Sequence, residues 1–108
     1  MHAILDLNLE NEKFGVSELA EEIGLSRSQL HRRLQDINGK SSSQFIREYR
    51  LEKAKKMLEA NEATVAEMAY RVGFTSPSYF SRSFNNLYGH PPGKVKYQRS
   101  IAPPQKTF

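Results

Sequence analysis

The 108-residue chain contains no cysteine, which excludes disulfides, thiolate metal sites and cysteine nucleophiles. Its three histidines, His2, His31 and His90, lie far apart and lack the spacing of metal ligands. We therefore expect no metal and no other cofactor. No apolar run approaches the ~20 residues that span a bilayer, and no signal peptide is visible. These absences predict a cytoplasmic protein, or a fragment of one, without a membrane partner.

Acidic residues are also absent from residues 71–108, which carry six bases. A second basic block, residues 27–56, has nine bases and three acids. Two acidic blocks alternate with them: residues 1–22 have six acids and one base, and residues 57–70 have three acids and no base. The net charge is only +4, but its division into blocks favours a polyanionic partner.

Each basic block overlaps one copy of an internal repeat. The segment "VSELAEEIG", which starts at Val16, aligns with "VAEMAYRVG", which starts at Val65. The alignment continues with one extra residue in the second turn: Leu30, Arg32, Leu34, Ile37 and Gly39 correspond to Phe80, Arg82, Phe84, Leu87 and Gly89. Apolar residues match apolar residues, so the two copies predict two similar local structures.

Each copy predicts two helices joined by a tight turn, which is the pattern of a helix-turn-helix. Gly24 and Gly73 are expected to end the first helices at positive φ. Ser26 and Ser76 are expected to cap the second helices. Pro77 then stands at the first helical position, where its missing N–H costs nothing.

The segment between the copies, "SSSQFIREYRLEKAKKMLEA", has no proline or glycine and predicts one long helix over residues 43–60. Its apolar residues fall on two nearly opposite sides. One side has Phe45, Ile46 and Tyr49, and the other has Leu51, Ala54 and Leu58. A helix that buries different faces at its two ends can connect two separate cores.

These elements predict an all-α protein of about seven helices, with two helix-turn-helix subdomains joined by a connector helix. The first subdomain is expected over residues 1–42, the connector over 43–60, the second subdomain over 61–98 and a flexible tail over 99–108. Ile4, Leu5, Leu7 and Leu9 predict a short amphipathic helix at the start of the first subdomain.

The second helix of each copy is expected to present a polar face. If Leu30, Leu34 and Ile37 face inward, a rotation of 100° per residue turns Ser28 and Arg32 outward. In the second copy, inward Phe80, Phe84 and Leu87 turn Ser78 and Arg82 outward. Arginine can pair bidentately with guanine. A single surface arginine is more often only solvated, but the equivalence of Arg32 and Arg82 favours base readout.

The segments "FIREYRLEKAKKMLE" and "TVAEMAYRVGFTSPSYFSRSFNNLYGHPP" resemble the DNA-binding domain of the AraC/XylS family of bacterial transcription regulators. The resemblance runs from about Val16 to Tyr97. It implies sequence-specific binding of double-stranded DNA for transcription regulation. Two recognition helices, about 27–38 and 77–88, would enter successive major grooves on one face of the DNA.

The resemblance also implies partners and a wider context. RNA polymerase is an expected partner, and a sensing or dimerisation domain is expected outside this chain, with the isolated domain monomeric. The segment "ENEKFGVSELAEEIGLSRSQLHRRL" is similar to domains that end large hybrid sensor-kinase regulators of Bacteroidetes type.

Site residues follow from the resemblance position by position. The residues expected to read bases are Ser28, His31, Arg32, Ser78, Tyr79 and Arg82. Those expected to contact the DNA backbone are Arg27, Arg33, Ser76, Ser81, Asn86, Lys94 and Lys96. The segment "PPGKVKYQ" departs from the family pattern of an aromatic residue followed directly by arginine.

A helical protein-interaction module without base readout is the alternative, and salt-dependent binding to duplex DNA distinguishes it. An enzyme is not expected: some DNA repair proteins carry such a domain beside a cysteine methyl acceptor, but this chain has no cysteine. The segment "NGKSS" ends like a phosphate-binding loop, but Leu34 stands where that loop needs glycine.

Overall fold

The structure of the chain, a computed structural model, describes residues 1–60 and 63–95. The helices in this part are α1 (His2–Leu7), α2 (Val16–Glu22), α3 (Arg27–Asn38), α4 (Ser42–Glu59), α5 (Val65–Arg71) and α6 (Pro77–Tyr88). Residues 92–95 are helical as well, which makes seven helical segments among the described residues. The predicted all-α fold is confirmed. The expected tail at 99–108 lies outside the described residues.

The first helix-turn-helix, formed by α2 and α3, packs with α1 and the N-terminal half of α4 around one core. This first core consists of Leu5, Phe14, Leu19, Ala20, Leu30, Leu34, Ile46 and Tyr49. Leu19 and Leu30 are completely buried, and so α3 is held against α2 by apolar contacts along its inner side.

The second helix-turn-helix, formed by α5 and α6, encloses a separate core with the C-terminal half of α4. This second core consists of Leu51, Ala54, Leu58, Met68, Ala69, Val72, Phe74, Phe80, Phe84 and Val95. Its aromatic rings pack at an angle to one another: Phe80 lies 5.3 Å from Phe74 and 5.9 Å from Phe84, measured between ring centroids. Such tilted pairs add to the stability that burial provides.

The connector helix α4 contributes to both cores, as its two apolar sides predict. Ile46 and Tyr49 belong to the first core, whereas Leu51, Ala54 and Leu58 belong to the second. The two sets point in nearly opposite directions because they are offset around the helix. One continuous helix therefore carries the two helix-turn-helix motifs.

The predicted turn and cap signals are present. Gly24 and Gly73 have φ of +73° and +87°, in the left-handed region that favours glycine. The Ser26 hydroxyl accepts from the backbone N–H of Gln29 at 3.1 Å, and the Gln29 side chain accepts from the Ser26 N–H at 2.8 Å. This reciprocal pair is a capping box, and it fixes where α3 begins.

Two apolar residues that were expected to face inward are exposed, so this part of the prediction is wrong. Ile37 is 69% exposed and Leu87 is 36% exposed. Both lie in the last turn of their helix. The same side of the helix faces the core in the earlier turns but meets solvent in the last one. Leu7, at the end of α1, is 87% exposed. Helical periodicity gives a direction for each side chain, but burial also requires another element opposite it.

Replacing Ser26 with alanine is expected to lower the free energy of unfolding by about 1 kcal/mol, because the N–H of Gln29 loses its acceptor. Thermal unfolding of the chain followed by circular dichroism measures the effect. Ser28→Ala is the matched control, since Ser28 is exposed in the first turn of the same helix and caps nothing. Equal melting temperatures for the two variants would contradict the role of the cap.

Candidate nucleic-acid interface

The outer side of α3 is polar and open to solvent. Ser28, His31 and Arg32 are all exposed, as the sequence predicts, while Leu30 and Leu34 on the other side are buried. Because the capping box sets the start of the helix, the register of these side chains is fixed by local interactions. All three candidate base-reading residues therefore share one accessible surface in the first half of α3.

The outer side of α6 repeats this arrangement. Ser78, Tyr79 and Arg82 are exposed, and Phe80 and Phe84 are buried. The Tyr79 ring lies 5.5 Å from the buried Phe74, between ring centroids, and remains 43% exposed. The aromatic contact restrains the ring, so that Tyr79 presents its hydroxyl from a supported position.

The residues expected to contact the DNA backbone are also accessible, to different degrees. Arg27, Arg33, Asn86 and Lys94 are exposed, and Ser81 is half-buried on α6. The Ser76 hydroxyl oxygen accepts from the backbone N–H of Tyr79 at 3.3 Å, which caps α6 and leaves its O–H free to donate. Lys96 lies outside the described residues.

Some basic side chains are engaged within the protein and others are not. Lys40 pairs with Glu48 at 2.7 Å, and Lys53 pairs with Asp6 at 3.2 Å. A hydrogen bond from Tyr49, together with Lys53, lowers the pKa of Asp6. In contrast, Arg32 and Arg82 form no ion pair with any described residue. Both residues are exposed to solvent.

Three depressions with shared lining residues lie along the described helices. The first is lined by Arg27, Ser28, His31, Arg32 and Ser41–Ser43. Ser43 also lines the second, together with Arg47 and Tyr79. Arg47 and Tyr79 line the third as well, with Ser83 and Asn86. Ser78 and Arg82 line none of these three, so the outermost side of α6 is convex surface rather than part of a groove.

Two arginines of α4 were not singled out from the sequence. Arg47 lines two depressions that also contain Tyr79 of α6, and Arg50 is buried between the two motifs. The position of Arg50 in the sequence could have indicated its role, because it falls between Tyr49 of the first core and Leu51 of the second. A charged residue where the buried side of a helix changes must find hydrogen-bond partners.

The described residues show no signs of two other kinds of site. No described helix has the length and apolar character required to cross a membrane. Among the same residues, no group of three or more histidine or carboxylate side chains could hold a metal ion.

A family model described as a helix-turn-helix domain matches residues 19–98. The chain is 33% identical over 97 residues to a protein named Histidine kinase P4 from Formosa agariphila, a match that covers 90% of this chain and 7% of that protein. The chain spans less than a third of the length of the curated relatives it matches.

Solved structures share the fold over nearly the whole chain. A transcriptional regulator with an AraC-type DNA-binding domain from Chromobacterium violaceum superposes with a TM-score of 0.83 at 26% identity, over 92% of this chain and 88% of that one. The DNA-binding domain of AdpA, a global transcriptional factor solved in complex with a target DNA, has a TM-score of 0.76 at 26% identity, over 97% and 95% of the two chains.

Proposed function

Because the chain belongs to the AraC-type helix-turn-helix family, we propose that it binds double-stranded DNA at specific sequences and regulates transcription. One observation carries this function: α3 and α6 present equivalent exposed polar faces, each with an arginine that has no ion-pair partner among the described residues. Serine, histidine, tyrosine and arginine side chains on such a face can bond to base edges and phosphates.

The two helices are proposed to enter successive major grooves, which lie ~34 Å apart along the DNA. The longest dimension of the described structure, 54 Å, accommodates this separation. In this arrangement residues 1–42 and 61–98 act as the two DNA-binding subdomains, and residues 43–60 hold them on one face of the duplex. The two separate cores support this division.

Base readout is assigned to Ser28, His31 and Arg32 in the first groove and to Ser78, Tyr79 and Arg82 in the second. These residues lie in the first two turns of α3 and α6, the part of a recognition helix that contacts base edges. The backbone contacts are assigned to Arg27, Arg33, Ser76, Ser81, Asn86, Lys94 and Lys96. Their charges and hydroxyl or amide groups suit phosphate oxygens.

The setting of this binding is proposed from the family. The domain has no catalytic role of its own and acts in the cytoplasm as part of a longer regulator that includes a sensing or dimerisation domain. RNA polymerase is the proposed protein partner, and the isolated domain is proposed to be monomeric. Sedimentation of the isolated chain tests the last point, because a concentration-dependent increase in mass would contradict it.

Selection of bound sites from a random duplex library tests the proposed function, followed by affinity measurements at several salt concentrations. We expect one preferred site with two half-sites about one DNA turn apart. With Arg27, Arg33, Lys94 and Lys96 on phosphates, log K is expected to fall with log salt at a slope on the order of −4.

The alternative, a protein-interaction module, predicts a different outcome of the same measurements. Its basic residues would attract DNA only weakly, and selection would then enrich no common sequence. A flat salt dependence together with no enriched site would exclude the proposed function.

A further inference from the structure

The buried side chain of Arg50 lies between the two helix-turn-helix motifs and is only 7% exposed. Its Nη2 donates to the carbonyl oxygens of Asn11 at 3.1 Å and Phe14 at 2.8 Å. Its Nη1 donates to those of Leu9 at 3.1 Å and Val72 at 2.9 Å. The acceptors on Leu9, Asn11 and Phe14 belong to the segment between α1 and α2. The fourth, on Val72, ends α5 in the second motif.

The four carbonyls take the place of a counterion. Among the described residues, no carboxylate pairs with Arg50. Burial lowers the pKa of Arg50, yet arginine keeps its charge in proteins. A buried charge is tolerated only where its N–H groups are bonded, and the carbonyls at the end of a helix lack partners within that helix. The planar guanidinium holds its donors in a fixed fork, so it fixes the loop against the end of α5.

Gly73, in the turn of the second motif, lies directly against this arginine. A Cβ atom at residue 73 would stand 1.3 Å from Nη1 of Arg50 and 2.6 Å from the carbonyl oxygen of Leu9. The side chain of Leu9 packs against the second core, although it precedes the first motif in the chain. At Gly24, the equivalent turn residue, an added Cβ would meet nothing within 4 Å. The close contact therefore exists in only one of the two repeated turns.

We propose that Arg50 is a positioning residue that fixes the mutual orientation of α3 and α6, and with it the half-site spacing that the domain accepts. This inference rests on the proposed DNA binding. The connector helix alone leaves this orientation less defined, because long helices bend and each motif packs on a different end of α4. Arg50 adds a direct link between the motifs. It lies at the point along α4 where the buried side changes from the one that faces the first core to the one that faces the second.

The test measures how strongly binding depends on half-site spacing. Three duplexes are used: the site selected by the wild-type chain, that site with one base pair inserted between the half-sites, and a duplex with only the half-site read by α6. One inserted base pair moves the second half-site by ~3.4 Å and about a tenth of a turn. The wild-type chain, Arg50→Met and Arg50→Lys are compared on all three.

The wild-type chain is expected to lose about tenfold in affinity on the inserted site, because its second helix no longer meets its half-site. Arg50→Met is expected to bind the selected site less tightly but to lose less than about threefold on insertion, since its motifs can reorient. Both proteins should bind the single half-site equally. Arg50→Lys, which keeps the charge but has one donor nitrogen, is expected to give an intermediate insertion penalty.

An insertion penalty in Arg50→Met equal to that of the wild type overturns the proposal. So does an equal loss on the single half-site and the full site in a variant that keeps the wild-type circular dichroism, since that pattern means that Arg50 acts within one motif and not on the spacing between them. A wild-type chain that shows no preference among sequences contradicts the proposed function instead, and the two failures are thereby distinguished.

If Arg50→Met does not fold, Gly73→Ala and Gly24→Ala provide the same comparison. Both substitutions place a side chain at positive φ, so their backbone strain is similar. Only Gly73→Ala displaces the guanidinium and the Leu9 carbonyl. We expect Gly73→Ala alone to reduce the insertion penalty. Equal penalties in the two alanine variants overturn the proposal.

Discussion

Phe84→Asp is expected to unfold the second helix-turn-helix. The Phe84 side chain is completely buried and lies 4.6 Å from the Tyr88 ring and 5.9 Å from that of Phe80, measured between centroids. An aspartate there places a carboxylate among apolar side chains, with only the His90 ring as a polar neighbour at 5.8 Å from the Phe84 centroid, and leaves the space of the phenyl ring unfilled. The expected loss is several kcal/mol, a large share of the ~5–15 kcal/mol that stabilises a whole domain.

Leu51→Asp is expected to have a similar effect, because Leu51 is only 1% exposed and joins α4 to the same core. The matched control is Ile37→Asp, which places the same charge at an apolar residue that is 69% exposed. We expect the control to stay within about 0.5 kcal/mol of the wild type. Chemical denaturation followed by circular dichroism measures all three variants. Wild-type stability in Phe84→Asp or Leu51→Asp would show that the inward side of these helices is wrongly assigned.

Arg82→Ala and Arg32→Ala are each expected to lose ~1–3 kcal/mol of binding free energy on the selected site and to relax the preference at one base pair. The reason is geometric: both arginines point away from the buried side of their helix, lie in its first two turns, and have no partner among the described residues. The measurement is the affinity for the selected site and for scrambled DNA at several salt concentrations.

Lys94→Ala is the contrasting variant in the same experiment, because Lys94 is exposed outside α3 and α6. A phosphate contact there predicts weaker binding to every sequence and a salt slope that is smaller in magnitude by about 1. If an arginine variant instead loses the same factor on both DNAs, that arginine contacts the backbone. Base readout would then rest on Ser28, His31, Ser78 and Tyr79.

The equivalent glycines illustrate where sequence patterns stop being informative. Gly24 and Gly73 carry the same local signal, and both have the positive φ that this signal predicts. Their surroundings differ completely, since one faces open space and the other faces a buried guanidinium. The internal repeat conceals this difference, because alignment compares residue types and does not include what packs on them.

The sequence by itself determined the all-α fold, the helix caps, the turn glycines and the two-sided connector, because these depend on residues within about a turn or two of each other. It also predicted the exposed polar faces of α3 and α6. Only the tertiary structure decided that Ile37 and Leu87 are exposed and that Arg50 links the motifs. Burial depends on which element lies opposite, and the partners of Arg50 are 22 to 41 residues away along the chain. Local sequence patterns do not specify contacts across such distances.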